Sequence, residues 1–196
     1  MVFPLYDDNS DRTTTPFVNY AIIAANILVF VLIQQIGTND AFTYSFSTVP
    51  QEILTGHDVV TSSRVLEDAI TGQRLLVPGL GPTWPSVYVT LITSMFMHGG
   101  WAHLLGNMLF LWVFGDNIEN RLGPIRYLIF YLVCGIIASL CHVFFAGSDS
   151  IVPSLGASGA ISGVLGGYLL LFPSRRVRVF MGRGITEVPA FVALGI

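Results

Sequence analysis

Residues 127–146 read YLIFYLVCGIIASLCHVFFA, from Tyr127 to Ala146, with no charged residue and with Arg121 and Arg126 just before them. A helix needs about 20 mostly apolar residues to cross ~30 Å of hydrocarbon at ~1.5 Å per residue. The stretch therefore predicts a membrane-spanning helix, and other spans are sought on either side of it. Phe17–Ile36 is a second uncharged run, bracketed by Arg12 and Asp40. Ser150–Ser174 is a third, closed by Arg175, Arg176 and Arg178. A fourth lies inside the uncharged run Leu75–Gly115, which Pro78, Pro82, Pro85 and Gly99–Gly100 interrupt. Its spanning helix is expected over Trp101–Ile118, after a partly submerged loop with short helices. A fifth apolar segment starts at Val188, too close to Ile196 to span a bilayer within this sequence.

Composition agrees. Of the 196 residues, 53% are hydrophobic and 11% charged, against roughly 25% charged in an average soluble domain. This excludes a disordered chain and an ordinary water-soluble enzyme. The net charge is −3, all basic residues are arginines, and no basic stripe could track phosphates, so no nucleic-acid partner is expected. The expected fold class is all-α: a polytopic membrane helix bundle with four complete transmembrane helices and the start of a fifth. Residues 1–16 read as a cytoplasmic N-terminal tail and residues 17–196 as the membrane domain. Asp7, Asp8 and Asp11 stand where a signal peptide would carry basic residues, so the first helix is expected to stay.

With the N-terminus in the cytoplasm, Arg12, Arg121, Arg126, Arg175, Arg176, Arg178 and Arg183 all lie on that side. Only Arg64 and Arg74 fall outside, in a long first loop over about residues 37–100, and the positive-inside rule selects this orientation. The loop reads as polar surface through Thr71–Gly72 and as interfacial around Trp84 and Tyr88. Cys134 and Cys141 lie roughly 10 Å apart along one helix, too far to bridge, and read as small apolar residues. No metal-binding spacing is present, and no cofactor is expected.

Polar residues inside spans are costly unless paired or functional. His103 and Asn107, four apart, share one face of the second helix. Gly159, Gly163 and Gly167 recur every four residues on the fourth, leaving one face nearly without bulk. Taken singly, His103 and Asn107 could simply bond a neighbouring helix, and the glycines could serve packing alone. Topology brings the two sites to a common depth, one to two turns below the outer surface. A serine at the mouth of the glycine-rich helix, facing a histidine and an asparagine, is an arrangement suited to acyl transfer.

Three motifs carry a resemblance. Met97-His98-Gly99-Gly100-Trp101-Ala102-His103-Leu104-Leu105-Gly106-Asn107-Met108 resembles the rhomboid signature at the start of the second core helix. Glu119-Asn120-Arg121-Leu122-Gly123 is similar to that family's E-x-R-x-G segment, and Gly156-Ala157-Ser158-Gly159-Ala160 to its G-x-S-G nucleophile motif. The resemblance implies an intramembrane serine endopeptidase that cleaves transmembrane protein substrates in the lipid bilayer, in the plasma membrane. It implies Ser158 as nucleophile and its backbone amide, His103 and Asn107 as oxyanion donors. His98, Glu119, Arg121, Gly156 and Gly159 would be structural supports, with Glu119 and Arg121 tying the end of the second helix to its loop.

The family's general base is a histidine on a sixth helix, which these residues do not include. His57 lies in the outer loop, and His142 lies late on the third helix without a neighbouring motif. The expectation is therefore a C-terminally truncated sequence, inactive by itself, with the catalytic histidine beyond Ile196. A non-catalytic rhomboid-like protein that binds or escorts transmembrane clients is the alternative reading.

Overall fold

The computed structural model describes residues 3–67, 74–182 and 184–195, so Thr71–Gly72 and Arg183 lie outside the described residues. The chain starts as a strand, β1 (Phe3–Asp7), and enters helix α1 (Phe17–Leu28), which runs on through a wide π turn at Val29–Ile33. Two short helices follow, α2 (Asp40–Phe46) and α3 (Pro50–Thr55). Asn39 caps α2 by accepting from the Phe42 amide, and left-handed Gly56 ends α3. A hairpin of β2 (Arg64–Glu67) and β3 (Arg74–Val77) leads to three single turns, Val87–Val89, α4 (Thr90–Thr93) and Ser94–Phe96.

Helix α5 (Trp101–Phe110) passes through a second π turn, Leu111–Gly115, into α6 (Asp116–Leu122), making one rod. Gly123 breaks it and Pro124, at the first helical position, starts α7 (Pro124–Ala146). Then come α8 (Ser158–Leu171), strands β4 (Arg176–Phe180) and β5 (Ile185–Pro189), and α9 (Ala190–Leu194).

Among the described residues α7 alone is long and apolar enough, by length and composition, to cross a membrane; Phe17–Ile33 and Ser158–Leu171 are shorter apolar helices. The burial pattern is inside out. Phe145 is 83% and Leu170 85% exposed, whereas Asn19, Gln34, His98 and Glu119 are buried. Apolar groups outside and hydrogen-bonded polar groups between helices are what a bundle in hydrocarbon requires.

The glycine-rich face of α8 packs along α7. A Cβ on Gly159 would meet that of Ala138 at 2.5 Å, one on Gly163 would meet Cys134 Sγ, and one on Gly167 would touch Phe130 at 3.4 Å. Each step of four along α8 matches a step of four, in reverse, along α7. The small residues set the interhelical distance, and Cys134 occupies the space that a side chain at Gly163 would need.

Two expectations are corrected. The fold is not purely helical: β1, β4 and β5 form an antiparallel sheet, in that order, and β2 and β3 a hairpin. In β4 the alternation Arg-Val-Arg-Val-Phe buries Val177 and Val179 and exposes Arg176, Arg178 and Phe180, a two-residue period with one face on the bundle. The first residues are thus a strand of this sheet, with Tyr6 opposite Arg178 and Asp7 opposite Val177. The fifth helix begins at Ala190, because Val188 and Pro189 pair with Val177 and Arg176 as the end of β5.

Candidate active site

Two helix openings build the site. Gly100 precedes α5, which carries His103 and Asn107 a turn apart; α8 opens with Ser158 itself. Packing sets the openings side by side, and His103, Asn107, Ser158 and Ser162 line one open groove of about 320 Å³. Ser158 is exposed, and its hydroxyl has no hydrogen-bond partner among the described residues. Its amide lies in the first turn of α8, where backbone N–H groups lack intrahelical acceptors and the helix dipole is positive. Ser162 Oγ donates to the Ser158 carbonyl at 2.8 Å, tightening that turn.

His103 is oriented by its own backbone. The Gly99 amide donates to His103 Nδ1 at 3.4 Å. With Nδ1 as acceptor, the proton of the neutral ring sits on Nε2. That edge faces the serine loop: a Cβ on Gly156 would lie 2.8 Å from Nε2 and 2.7 Å from Cε1. Gly156 also has φ +126°, so the position demands glycine both for its backbone conformation and for its clearance. Asn107 is buried, and its Nδ2 donates one hydrogen to the His103 carbonyl at 3.0 Å.

His98 supports this pair from behind. Its amide donates to Gln34 Oε1 at 2.8 Å, Gln34 Nε2 donates back to the His98 carbonyl at 3.1 Å, and its ring packs edge-on against that of His103, centroids 5.0 Å apart. Burial, and secondarily the neighbouring His103, push the His98 pKa down to about 4. The lowered pKa favours the neutral ring at physiological pH.

The serine loop hangs from the outer loop. Thr48 and Ser154 exchange backbone hydrogen bonds of 3.0 and 2.8 Å, the Gln51 amide donates to the Ser150 carbonyl, and the Gly156 amide donates to the Ser94 carbonyl at 2.8 Å. Thr48 Oγ1 adds a 2.9 Å bond to Ser94 Oγ. Nothing in the sequence pointed to these ties, because backbone pairing across a hundred residues leaves no local pattern. A second cavity, of about 170 Å³, lies on the other side of Ser158 and is lined by Ser139, His142, Ser154 and Gly156. His142, without a neighbouring motif in the sequence, is three residues from Ser139, which places both on the face of α7 turned towards the loop. His57 lines neither space.

Glu119 is buried and accepts from the Val18 and Asn19 amides at 3.0 and 2.6 Å. The tie it makes is thus to the start of α1, whose free N–H groups it satisfies, rather than to the loop after its own helix. Glu119→Ala is expected to strand both donors and to destabilise the bundle by about 1–3 kcal/mol, read as the shift of a denaturant unfolding curve in detergent. Arg121 is exposed. Gly159 leaves the room that Ala138 of α7 needs.

A hydroxyl nucleophile flanked by N–H donors from a helix opening, an imidazole and a carboxamide is the equipment of acyl transfer. Comparison with known proteins points the same way. Residues 85–196 match the family model of the Rhomboid domain. The putative rhomboid protease YdcA of Bacillus subtilis is 35% identical over 72% of this chain and 66% of its own length. The rhomboid protease GluP of the same organism is 32% identical over 82% of this chain and 26% of its own length. Rhomboid protein 1, mitochondrial, of Saccharomyces cerevisiae is 38% identical over 47% of this chain and 28% of its own length. Across these three, the aligned part is between about a quarter and two thirds of the relative. The family match takes in both helix openings and the loop between them, and on that basis the chain belongs to the rhomboid family, integral membrane proteins built as helical bundles.

Proposed function

We propose that the complete protein is an intramembrane serine endopeptidase acting on transmembrane protein substrates. The observation that carries this reading is the shared groove of Ser158, His103 and Asn107. In the proposed step Ser158 Oγ attacks the scissile carbonyl carbon, and the carbonyl electron pair moves onto oxygen. The oxyanion accepts from the Ser158 amide, His103 Nε2–H and the second hydrogen of Asn107 Nδ2. Its collapse breaks the C–N bond, the amine leaves with the proton given up by Ser158 Oγ, and the acyl-enzyme that remains is hydrolysed by water. The serine proton requires a base within hydrogen-bond reach. No histidine of the described residues bonds to the hydroxyl, so the reading concerns the complete protein, to which these residues contribute nucleophile and oxyanion donors.

The reading includes four spans: α1 with its π turn, the α5–α6 rod, α7 and α8. The N-terminus is cytoplasmic and the groove opens near the outer surface of the cell membrane. Residues 17–196 form the membrane domain, joined by the sheet to the preceding tail. Fluorophosphonate labelling of the full-length protein in membranes tests the assignment. Labelling is expected, and Ser158→Ala is expected to abolish it. Labelling that survives Ser158→Ala, or a full-length protein that is unlabelled yet still retains a transmembrane client, would overturn the protease reading, the latter in favour of client binding.

A further inference from the structure

At the end of the bundle opposite the groove, the N-terminal segment is clasped by the sheet and by a cluster of charges. Asp7 lies at the end of β1 and is 1% exposed. Its Oδ2 accepts from Tyr168 of α8 at 2.6 Å and from Asn117 Nδ2 of α6 at 2.8 Å. Its Oδ1, equally buried, has no partner among the described residues. The charges around it do not balance. Arg12 is paired with Asp116 of α6 at 2.9 Å, and Arg175, just before β4, with Asp11 while also donating to Asn117. Each of these arginines thus has its own carboxylate, and among the described residues Asp7 is paired with no arginine, Arg175 acting on it only at longer range. Tyr168 and Asn117 bring no charge, and Asn9 is bonded to Asn117.

We propose that Asp7 makes docking of the N-terminal strand proton-dependent: with its carboxyl neutral, β1 closes on β4 and on the ends of α6 and α8, and with it ionised the strand is released. Closing buries an unpaired negative charge beside Asp116, which is unfavourable, whereas a neutral carboxyl carries no such cost. Burial, opposed mainly by the bond from Tyr168, pushes the Asp7 pKa up to about 7 in the docked state. An undocked aspartate titrates near ~3.9.

The direction follows from these two values. Docking takes up a proton between them, so it is tightest below the undocked value and weakens as pH rises through the docked one. From pH 6 to pH 8 the docking constant is expected to fall about tenfold, and Tyr168 and Asn117 lose their shared partner together.

Hydrogen exchange on the full chain in lipid vesicles reads this directly, as protection factors of the Phe3, Leu5, Tyr6 and Asp7 amides corrected for intrinsic exchange. Protection is expected to fall about tenfold from pH 6 to pH 8 and to stay high and flat in Asp7→Asn, which copies the neutral carboxyl. Tyr168→Phe removes the donor that favours the ionised form and is expected to move the fall to higher pH. A flat profile in the unmodified chain, or the same slope in Asp7→Asn, would overturn the proposal. If Asp7→Asn fails to fold, an unmoved profile in Tyr168→Phe has the same force.

Discussion

Replacing His103 with alanine is expected to lower kcat of the complete protein on a single-pass substrate in vesicles by about 10²–10³, with little change in KM. The reason is the placement of one proton. The Gly99 amide occupies Nδ1, the ring N–H is therefore Nε2–H, and that edge faces the loop carrying Ser158. A donor held there in the resting state costs no reorganisation when charge develops on the substrate oxygen. Asn107→Ala removes a neighbouring donor and belongs to the same range. The double variant is expected to fall short of the product of the two losses, because in the proposed step both donors serve one oxygen. Gly156→Ala should imitate His103→Ala with the imidazole still present, since the new methyl would occupy its place at an unfavourable φ. Turnover by His103→Ala close to that of the unmodified protein would remove this residue from the oxyanion site.

The second large effect concerns stability. Gly163→Val is expected to destabilise the bundle by about 1–3 kcal/mol or more, because the branched side chain enters space held by Cys134. Unfolding curves in detergent measure it. The cause is specific enough for a double-mutant cycle. Gly163→Ala should be rescued in part by Cys134→Gly, which removes the facing Cβ and Sγ, whereas a mutation elsewhere on α7 should add independently. A cycle showing no coupling would mean that the α7–α8 distance is set by other contacts.

The helical elements were legible because apolar run length is a strong signal. The Tyr127–Ala146 run lies within α7, and the helix expected over Trp101–Ile118 is the α5–α6 rod with four more residues at its end. The glycine repeat announced close packing, though not that Cys134 and Ala138 would receive it. Ser158, His103 and Asn107 were legible as candidates by their polarity within apolar stretches, and folding brings them into one groove. What escaped has a physical reason. The sheet joins residues more than 160 positions apart, so its first strand carries no local sign, although the alternation of β4 was there to be read. The clasp around Asp7 escaped because it depends on a charge imbalance that exists only once α6, α8 and the tail meet. Gln34, Thr48 and Ser154 tie His98 and the serine loop in place through pairs of bonds that no periodicity encodes.

The π turn at Leu111–Gly115 gives the rod a property of its own. Such a turn takes in one residue more than a regular helix within a single turn. Deleting one residue there would restore an even helix and leave Asp116, Asn117 and Glu119 at nearly the same azimuth relative to His103 and Asn107. The rod is therefore buffered: a one-residue change in length is absorbed at Leu111–Gly115 without turning the groove end against the anchored end.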